Sequence, residues 1–237
     1  MWLMRSRPGT SPLDIRLFAA HGAFLAERPP ASDEDVHMLS ATVDHVIERC
    51  TAPGDLVFDP FAGFGTTLDR AVALGRAALG IELLPERVDY LRRRVPGAHV
   101  LQGDARELLE VIRGSGRHLP DASVDLVLTS PPYMTRQHHE ADPLTGYEEN
   151  NGDYGRYLAE LGAVAAQCAR LLAPAGFAVW NVADIHHLGS TTHLISDCAR
   201  VLEHHLTRLG TTAVVWDRYP HDLIADALLV FQRIPAY

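Results

Sequence analysis

Thr129-Ser130-Pro131-Pro132-Tyr133 combines the residue types needed to hold a flat, amino-bearing ring. Two consecutive prolines fix φ and remove two backbone donors, so the nearby carbonyls point wherever a rigid turn aims them. An oxygen acceptor in such a turn can take N–H bonds from an amino group while Tyr133 stacks on its ring. The apolar run Val124 to Leu128 leads straight into the turn and reads as a buried strand. A second group, Asp59-Pro60-Phe61-Ala62-Gly63-Phe64-Gly65-Thr66-Thr67, follows the apolar run Leu56-Val57-Phe58. Its glycines let the backbone approach a ligand closely. A helix opening at Thr66 offers N–H groups and a positive pole to a ligand carboxylate. A plain tight turn or a phosphate loop has the same outline, but a Walker-type loop needs a lysine and the chain has none.

Acidic residues punctuate the same region. Glu82 ends the next apolar run, about 20 residues past the first loop, the spacing at which an acid bonds ribose hydroxyls. Asp104, in Gly103-Asp104-Ala105, is placed either to accept from an adenine amino group or to cap the following helix. Asp59, Glu82 and Asp104 would then share one rim of a sheet, where ligands of open α/β folds bind.

The elements that must position these residues alternate in type. Strands are predicted at 56–58, 77–81, 99–101, 124–128, 177–182, 212–216 and 227–231, the last antiparallel at the sheet edge. Helices are predicted over a segment opening at 32–35 and running to Cys50, then 66–74, 85–94, 105–112, 154–172 and 191–209. Strands alternating with helices imply an α/β, doubly wound, mostly parallel sheet of seven strands. Residues 1–33, with Pro8, Pro12, Pro29 and Pro30, read as an irregular amino-terminal arm before a single domain at 34–237. The chain has 237 residues and 47% hydrophobic content, without a run long enough to cross a bilayer. The opening residues carry no apolar signal region, and Cys50, Cys168 and Cys198 show no paired spacing, so a cytoplasmic protein without disulfides is expected. The net charge is −9, and the absence of lysine excludes amine nucleophiles and Schiff bases. Any basic footprint for nucleic acid must be local: Arg5, Arg7 and Arg16, the triplet Arg92-Arg93-Arg94, or Arg136. The triplet also suits a solvated helix end.

In wording and order, the two motifs resemble the amino-methyltransferases of the N4-cytosine and N6-adenine DNA methylase family, from about Pro29 to Phe231. Asp59 to Thr67 is similar to that family's cofactor motif, and Thr129 to Tyr133 to its catalytic motif. The resemblance implies a Rossmann-like fold binding S-adenosylmethionine through Asp59, Phe61, Ala62, Gly63, Gly65, Thr66, Thr67, Glu82 and Asp104. It implies that Ser130 and the Pro131 carbonyl accept the hydrogens of an exocyclic amine, that Pro132 stiffens the turn, and that Tyr133 stacks on the base. It also implies DNA as the partner, with Ser-Pro-Pro-Tyr leaning toward N4 of cytosine over N6 of adenine. The stretch from Arg28 to Pro30 onward is similar to the segment that closes over the cofactor's methionine end.

The chain departs from that pattern in one place. A large target-recognition region is missing, and the short insertion Met134 to Asp153 sets Glu140, Asp142, Glu148, Glu149 and Asp153 against Arg136. Phosphates are repelled there. A partner protein for target choice, single-stranded DNA, RNA or a small amine are the alternatives, as is a non-catalytic cofactor-binding subunit. His138-His139 follow the turn and could touch substrate, whereas His186, His187 and His193 lack a metal-ligand spacing. Asn181 and Asp184 end the fifth predicted strand, to contact substrate or to cap a loop.

Overall fold

A computed structural model describes residues 9–29, 37–137, 141–146 and 152–234. The sheet begins earlier than the sequence suggests. Within the amino-terminal stretch, β1 (Arg16–Ala19) and α1 (His21–Glu27) are both formed, followed by α2 (Ser40–Cys50). The arm is therefore not irregular over its described residues. Four residues are too few to reveal a period, and Ile15 just before this strand and Phe18 within it stand 82% and 84% exposed, which hides any half-buried alternation. The predicted helix start at Ser32 to Asp35 lies outside the described residues.

Alternation then follows closely. β2 (Leu56–Asp59), α3 (Thr66–Ala73), β3 (Ala77–Glu82), α4 (Pro85–Arg94) and β4 (His99–Gln102) form one half. A 3-10 turn at Ala105–Glu107 runs into α5 (Leu108–Gly114), then β5 (Val124–Thr129). The other half adds α6 (Tyr154–Leu171), β6 (Leu172–His187), β7 (Ser190–Thr192), α7 (Leu194–Leu202), β8 (Leu206–Trp216) and β9 (Leu223–Arg233). The last predicted helix is shortened at both ends. The β-branched Thr191 and Thr192 pair with β6 instead, and Leu206 already pairs with Arg233 of β9.

The nine strands run in the order β1-β8-β9-β6-β5-β2-β3-β4, with β7 beside β6. The class is the doubly wound, mostly parallel one expected, with two more strands than predicted. β9 is antiparallel as expected, but it lies inside β8 and β1 rather than at the margin. The central strands feed two cores by alternation. Phe58, Leu79, Val127, Trp180 and Phe231 face α5, α6 and α7. Val57, Ala78, Leu126, Val179 and Val230 face α1 through α4. Each fully buried side chain of this size contributes about 1.5–3 kcal/mol, and a one-residue slip would turn a whole strand's apolar set to the wrong face. That requirement aligns the carboxyl ends of β2, β3 and β5 on one rim. No helix among the described residues is long and apolar enough to cross a membrane.

Candidate active site

β2 and β5 are neighbours in the sheet, so their final residues meet. Thr129 Oγ1 donates to Asp59 Oδ1 at 2.6 Å, joining two motifs 70 residues apart. The same Asp59 oxygen accepts from the Phe61 N–H at 3.0 Å. Asp59 is 2% exposed. Burial pushes its carboxyl up to about 6, and the bonds from Thr129 and Phe61 oppose that rise.

From Asp59 the chain turns sharply. Gly65 sits at φ +86°, the left-handed conformation that glycine adopts without strain, and α3 starts at the next residue. A β-carbon on Gly65 would lie 2.3 Å from Leu91 Cδ2, so this position is packed against α4. Gly63, at φ +51°, is different: the nearest atom to a β-carbon there is Phe61 O at 3.9 Å. Space that a side chain would take is left open on the ligand side of the loop. Glu82, 6% exposed, accepts from Gly63 N–H at 2.8 Å and from Leu84 N–H at 2.9 Å. Its carboxylate thus ties the glycine loop to β3.

The second turn is braced from below. Ser130 Oγ and Tyr133 OH are 3.2 Å apart, and Tyr133 OH donates to the Asn181 carbonyl at 3.3 Å. Tyr157, from α6, donates its hydroxyl to the Pro132 carbonyl at 3.0 Å. Asn181 Nδ2 donates to Asp226 Oδ1 at 2.6 Å, and Trp216 Nε1 donates to Asp226 Oδ2 at 2.8 Å. Burial raises the Asp226 carboxyl to about 6. It also raises the Tyr133 phenol, helped by the Asp226 charge, so this hydroxyl keeps its proton.

Both turns line one cavity of 680 Å³, a size that suits a cofactor and a small acceptor. Asp59, Phe61, Ala62, Gly63, Gly65, Thr66, Thr67, Glu82, Ser130, Pro131, Pro132 and Tyr133 all border it. Asp104 is the correction. Its carboxylate caps the 3-10 turn through Arg106 N–H at 2.8 Å and takes the Arg106 guanidinium at 2.5 Å, while Ala105 reaches the cavity instead. Cap and ion pair engage this side chain with Arg106, and it is not among the residues bordering the cavity. Asp184 likewise caps, accepting from Ile195 N–H at 2.9 Å, and Asn181 serves the network beneath the turn.

Several cavity residues carried no signal of their own. His37 and Met38 enter from the segment before α2, and Pro143, Leu144 and Gly146 from the insertion. Asp142 is fully buried and paired with Arg156 at 3.1 Å, folding this part of the insertion inward. Arg136 is tied to buried Asp197 at 2.8 Å. His186, His187 and His193 bond separately to Thr191, Asp222 and Asp184. Arg5, Arg7, His138, His139, Glu140, Glu148 and Glu149 lie outside the described residues.

A family model for DNA methylases matches residues 40–93, the stretch from α2 through α4 that contains the glycine loop. Solved structures share the fold at low identity. A TehB-like SAM-dependent methyltransferase from Corynebacterium glutamicum is similar with a TM-score of 0.54 and 16% identity, over 81% of this chain and 87% of that one. A geranyl diphosphate methyltransferase in complex with SAM gives a TM-score of 0.55 and 12% identity, over 90% and 95%. The 1,6-didemethyltoxoflavin-N1-methyltransferase of Burkholderia thailandensis gives 0.52 and 15%, over 83% and 78%. At such identities the likeness establishes the fold alone, the Rossmann-like one that these methyltransferases share.

Proposed function

We propose that this protein transfers a methyl group from S-adenosylmethionine to an exocyclic amino group of a DNA base, N4 of cytosine ahead of N6 of adenine. One observation carries the reading: the Phe61–Gly65 bend and the Ser130–Tyr133 turn border a single cavity, with their strand ends bonded at 2.6 Å.

The residues fit that cofactor. Two buried acids, Asp59 and Glu82, face a cavity beside an open glycine, a donor set suited to a cationic ligand bearing hydroxyls. Asp59 would hold the ammonium, Glu82 the ribose hydroxyls, and the start of α3 the carboxylate. The bound cofactor supplies an electrophilic methyl group on positively charged sulfur.

An exocyclic amine is a weak nucleophile because its lone pair is delocalised into the ring. Ser130 Oγ and the Pro131 carbonyl would accept its two hydrogens, favouring tetrahedral nitrogen and freeing the lone pair. Tyr133 would lie along the ring and fix its plane, so positioning supplies much of the acceleration. The enzyme forms no covalent intermediate in this scheme: as the new N–C bond forms the methyl's bond to sulfur breaks, a neutral thioether leaves, and the methylated nitrogen gives up one proton to water. Burial pushes the Cys50, Cys168 and Cys198 thiols up, which keeps them protonated and poorly nucleophilic.

A second reading has its own support. Asp59, Glu82 and Asp222 border the cavity against Arg87, and residues 142–146 fold into its wall rather than outward as a recognition region. Such a site favours a small amino-bearing molecule over a polyanion. Incubation with labelled cofactor and separate pools of duplex DNA, single-stranded DNA, RNA and extract metabolites decides between them. Label at N4 of cytosine in DNA is the expected result. Label confined to metabolites moves the acceptor to the second reading. Cofactor binding without label in any pool makes the chain a non-catalytic subunit.

A further inference from the structure

If the Tyr133 hydroxyl makes both of its contacts at once, they have one consistent direction. A carbonyl oxygen can only accept, so Tyr133 must commit its single hydroxyl hydrogen to Asn181 at 3.3 Å. Tyr133 therefore meets Ser130, 3.2 Å away, as an acceptor. Ser130 in turn commits its own hydrogen to Tyr133 and presents lone pairs to the cavity.

The Asn181 acceptor is a backbone oxygen of β6, so no side-chain flip can reverse it, and the Asn181 side chain is itself held beneath the turn. Trp216 Nε1 can only donate, and it occupies Asp226 Oδ2 at 2.8 Å. Asn181 must then turn its NH2 group to Asp226 Oδ1 at 2.6 Å and to the Ala227 carbonyl at 3.1 Å. Asn181 and Asp226 are 7% and 8% exposed, so water does not compete freely for these partners.

We propose that Tyr133 is a positioning residue whose hydroxyl locks Ser130 as a pure acceptor, so that the site selects a heterocycle bearing NH2 over its oxo counterpart. The proposal rests on the amino-methyltransferase reading and deepens it. An amino group donates into the Ser130 lone pair. An oxo group at the same place sets lone pair against lone pair, and a site with a committed acceptor rejects it. A Tyr133 that only stacked would lose nothing on removal of its oxygen.

Tyr133→Phe keeps the ring and removes that oxygen. On the acceptor that the wild-type protein labels, kcat should fall about tenfold, the size of one net hydrogen bond, with the cofactor KM unchanged. Inhibition of a deoxycytidine oligonucleotide by its deoxyuridine counterpart, or of a labelled metabolite amine by its oxo analogue, should strengthen several-fold as Ser130 becomes able to donate. Because Tyr133 acts through Ser130, the double variant Ser130→Ala/Tyr133→Phe should be no slower than Ser130→Ala alone. A wild-type rate for Tyr133→Phe, unchanged oxo inhibition, or losses that multiply would overturn the proposal. If the wild-type protein labels nothing, the amino-methyltransferase reading fails, and proton NMR decides the relay by itself. A slowly exchanging hydroxyl proton that vanishes in Tyr133→Phe and shifts in Ser130→Ala supports it, and the lack of any such signal refutes it.

Discussion

On the proposed cofactor side of the cavity, the contacts within the loop are short-ranged, apart from the 70-residue link from Thr129 to Asp59. Asp59 reaches Phe61, two residues on; Glu82 reaches Leu84, also two on; its longest reach, to Gly63, spans 19. On the acceptor side, Tyr157 reaches back 25 residues to Pro132, Tyr133 reaches 48 to Asn181, and Asn181 reaches 45 to Asp226. The first wall is a backbone loop that folds with its flanking strand and helix. The second is a set of side chains that meet only after β5, β6, β8 and β9 have assembled. Local construction suits a ligand that stays constant. Distributed construction lets the acceptor pocket change by single substitutions while the loop stays intact.

The largest effect should come from breaking the local wall. Gly65→Val forces a left-handed φ on a β-branched residue and drives its Cβ toward Leu91 Cδ2. Strain and overpacking together cost about 2–5 kcal/mol. Melting should drop by roughly 5–20 °C, and equilibrium dialysis should detect no retained labelled cofactor. Gly63→Val sharpens the point. At φ +51° it carries left-handed strain as well, but with 3.9 Å of clearance to Phe61 O it adds no overpacking, so melting should fall less than in Gly65→Val while cofactor retention is still lost.

Tyr133→Ala, on the distributed wall, should lower kcat by about 100-fold or more through lost acceptor positioning, with cofactor affinity within about threefold of wild type. Loss of cofactor binding in that variant would show that the two walls are not separable.

The next effect is a pH dependence on the cofactor wall. Asp59 titrates near 6 when folded, against an ordinary 3.8. Cofactor affinity should decline as pH falls through about 6, because the carboxyl becomes neutral and stops attracting a cation. Calorimetric titration across pH 5 to 8 should trace this, and Asp59→Asn should flatten it. Stability carries the opposite sign. A raised folded pKa means the native state holds this proton more tightly, so the group's contribution is full below 3.8 and is lost as pH rises through 6.

The smallest effect belongs to Tyr157→Phe. Freeing the Pro132 carbonyl should cost about 1 kcal/mol in urea unfolding. A several-fold fall in kcat with unaltered cofactor affinity should accompany it. A change on the cofactor side would contradict the division drawn between the walls.

The alternation of elements was readable because each depends on near neighbours: Pro85 opening α4, Gly65 turning into α3, an apolar run ending at Asp59. Ser130 to Tyr133 was readable for the same reason, since two prolines make a rigid turn in any context. β1 was missed because four residues pair across nearly the whole chain, from Arg16 to Ala213. Asp104 was misassigned because spacing cannot tell a cap from a ligand contact when Arg106 stands two residues away. Glu82 borders the cavity, but its grip on Gly63 appears only when β2 and β3 lie side by side.

From sequence alone came the strand–loop–helix punctuation, the two chemical turns and the doubly wound class, all written in short-range sterics and hydrophobic period. Tertiary structure decided that the turns share a cavity, that Asp59 and Asp226 are shifted toward neutrality, and that the Ser130 and Tyr133 hydroxyls meet. The reason is that desolvation and hydrogen-bond direction belong to the surroundings of an atom. In an open α/β sheet those surroundings are set by which strands lie adjacent, a property spread over the whole packed core.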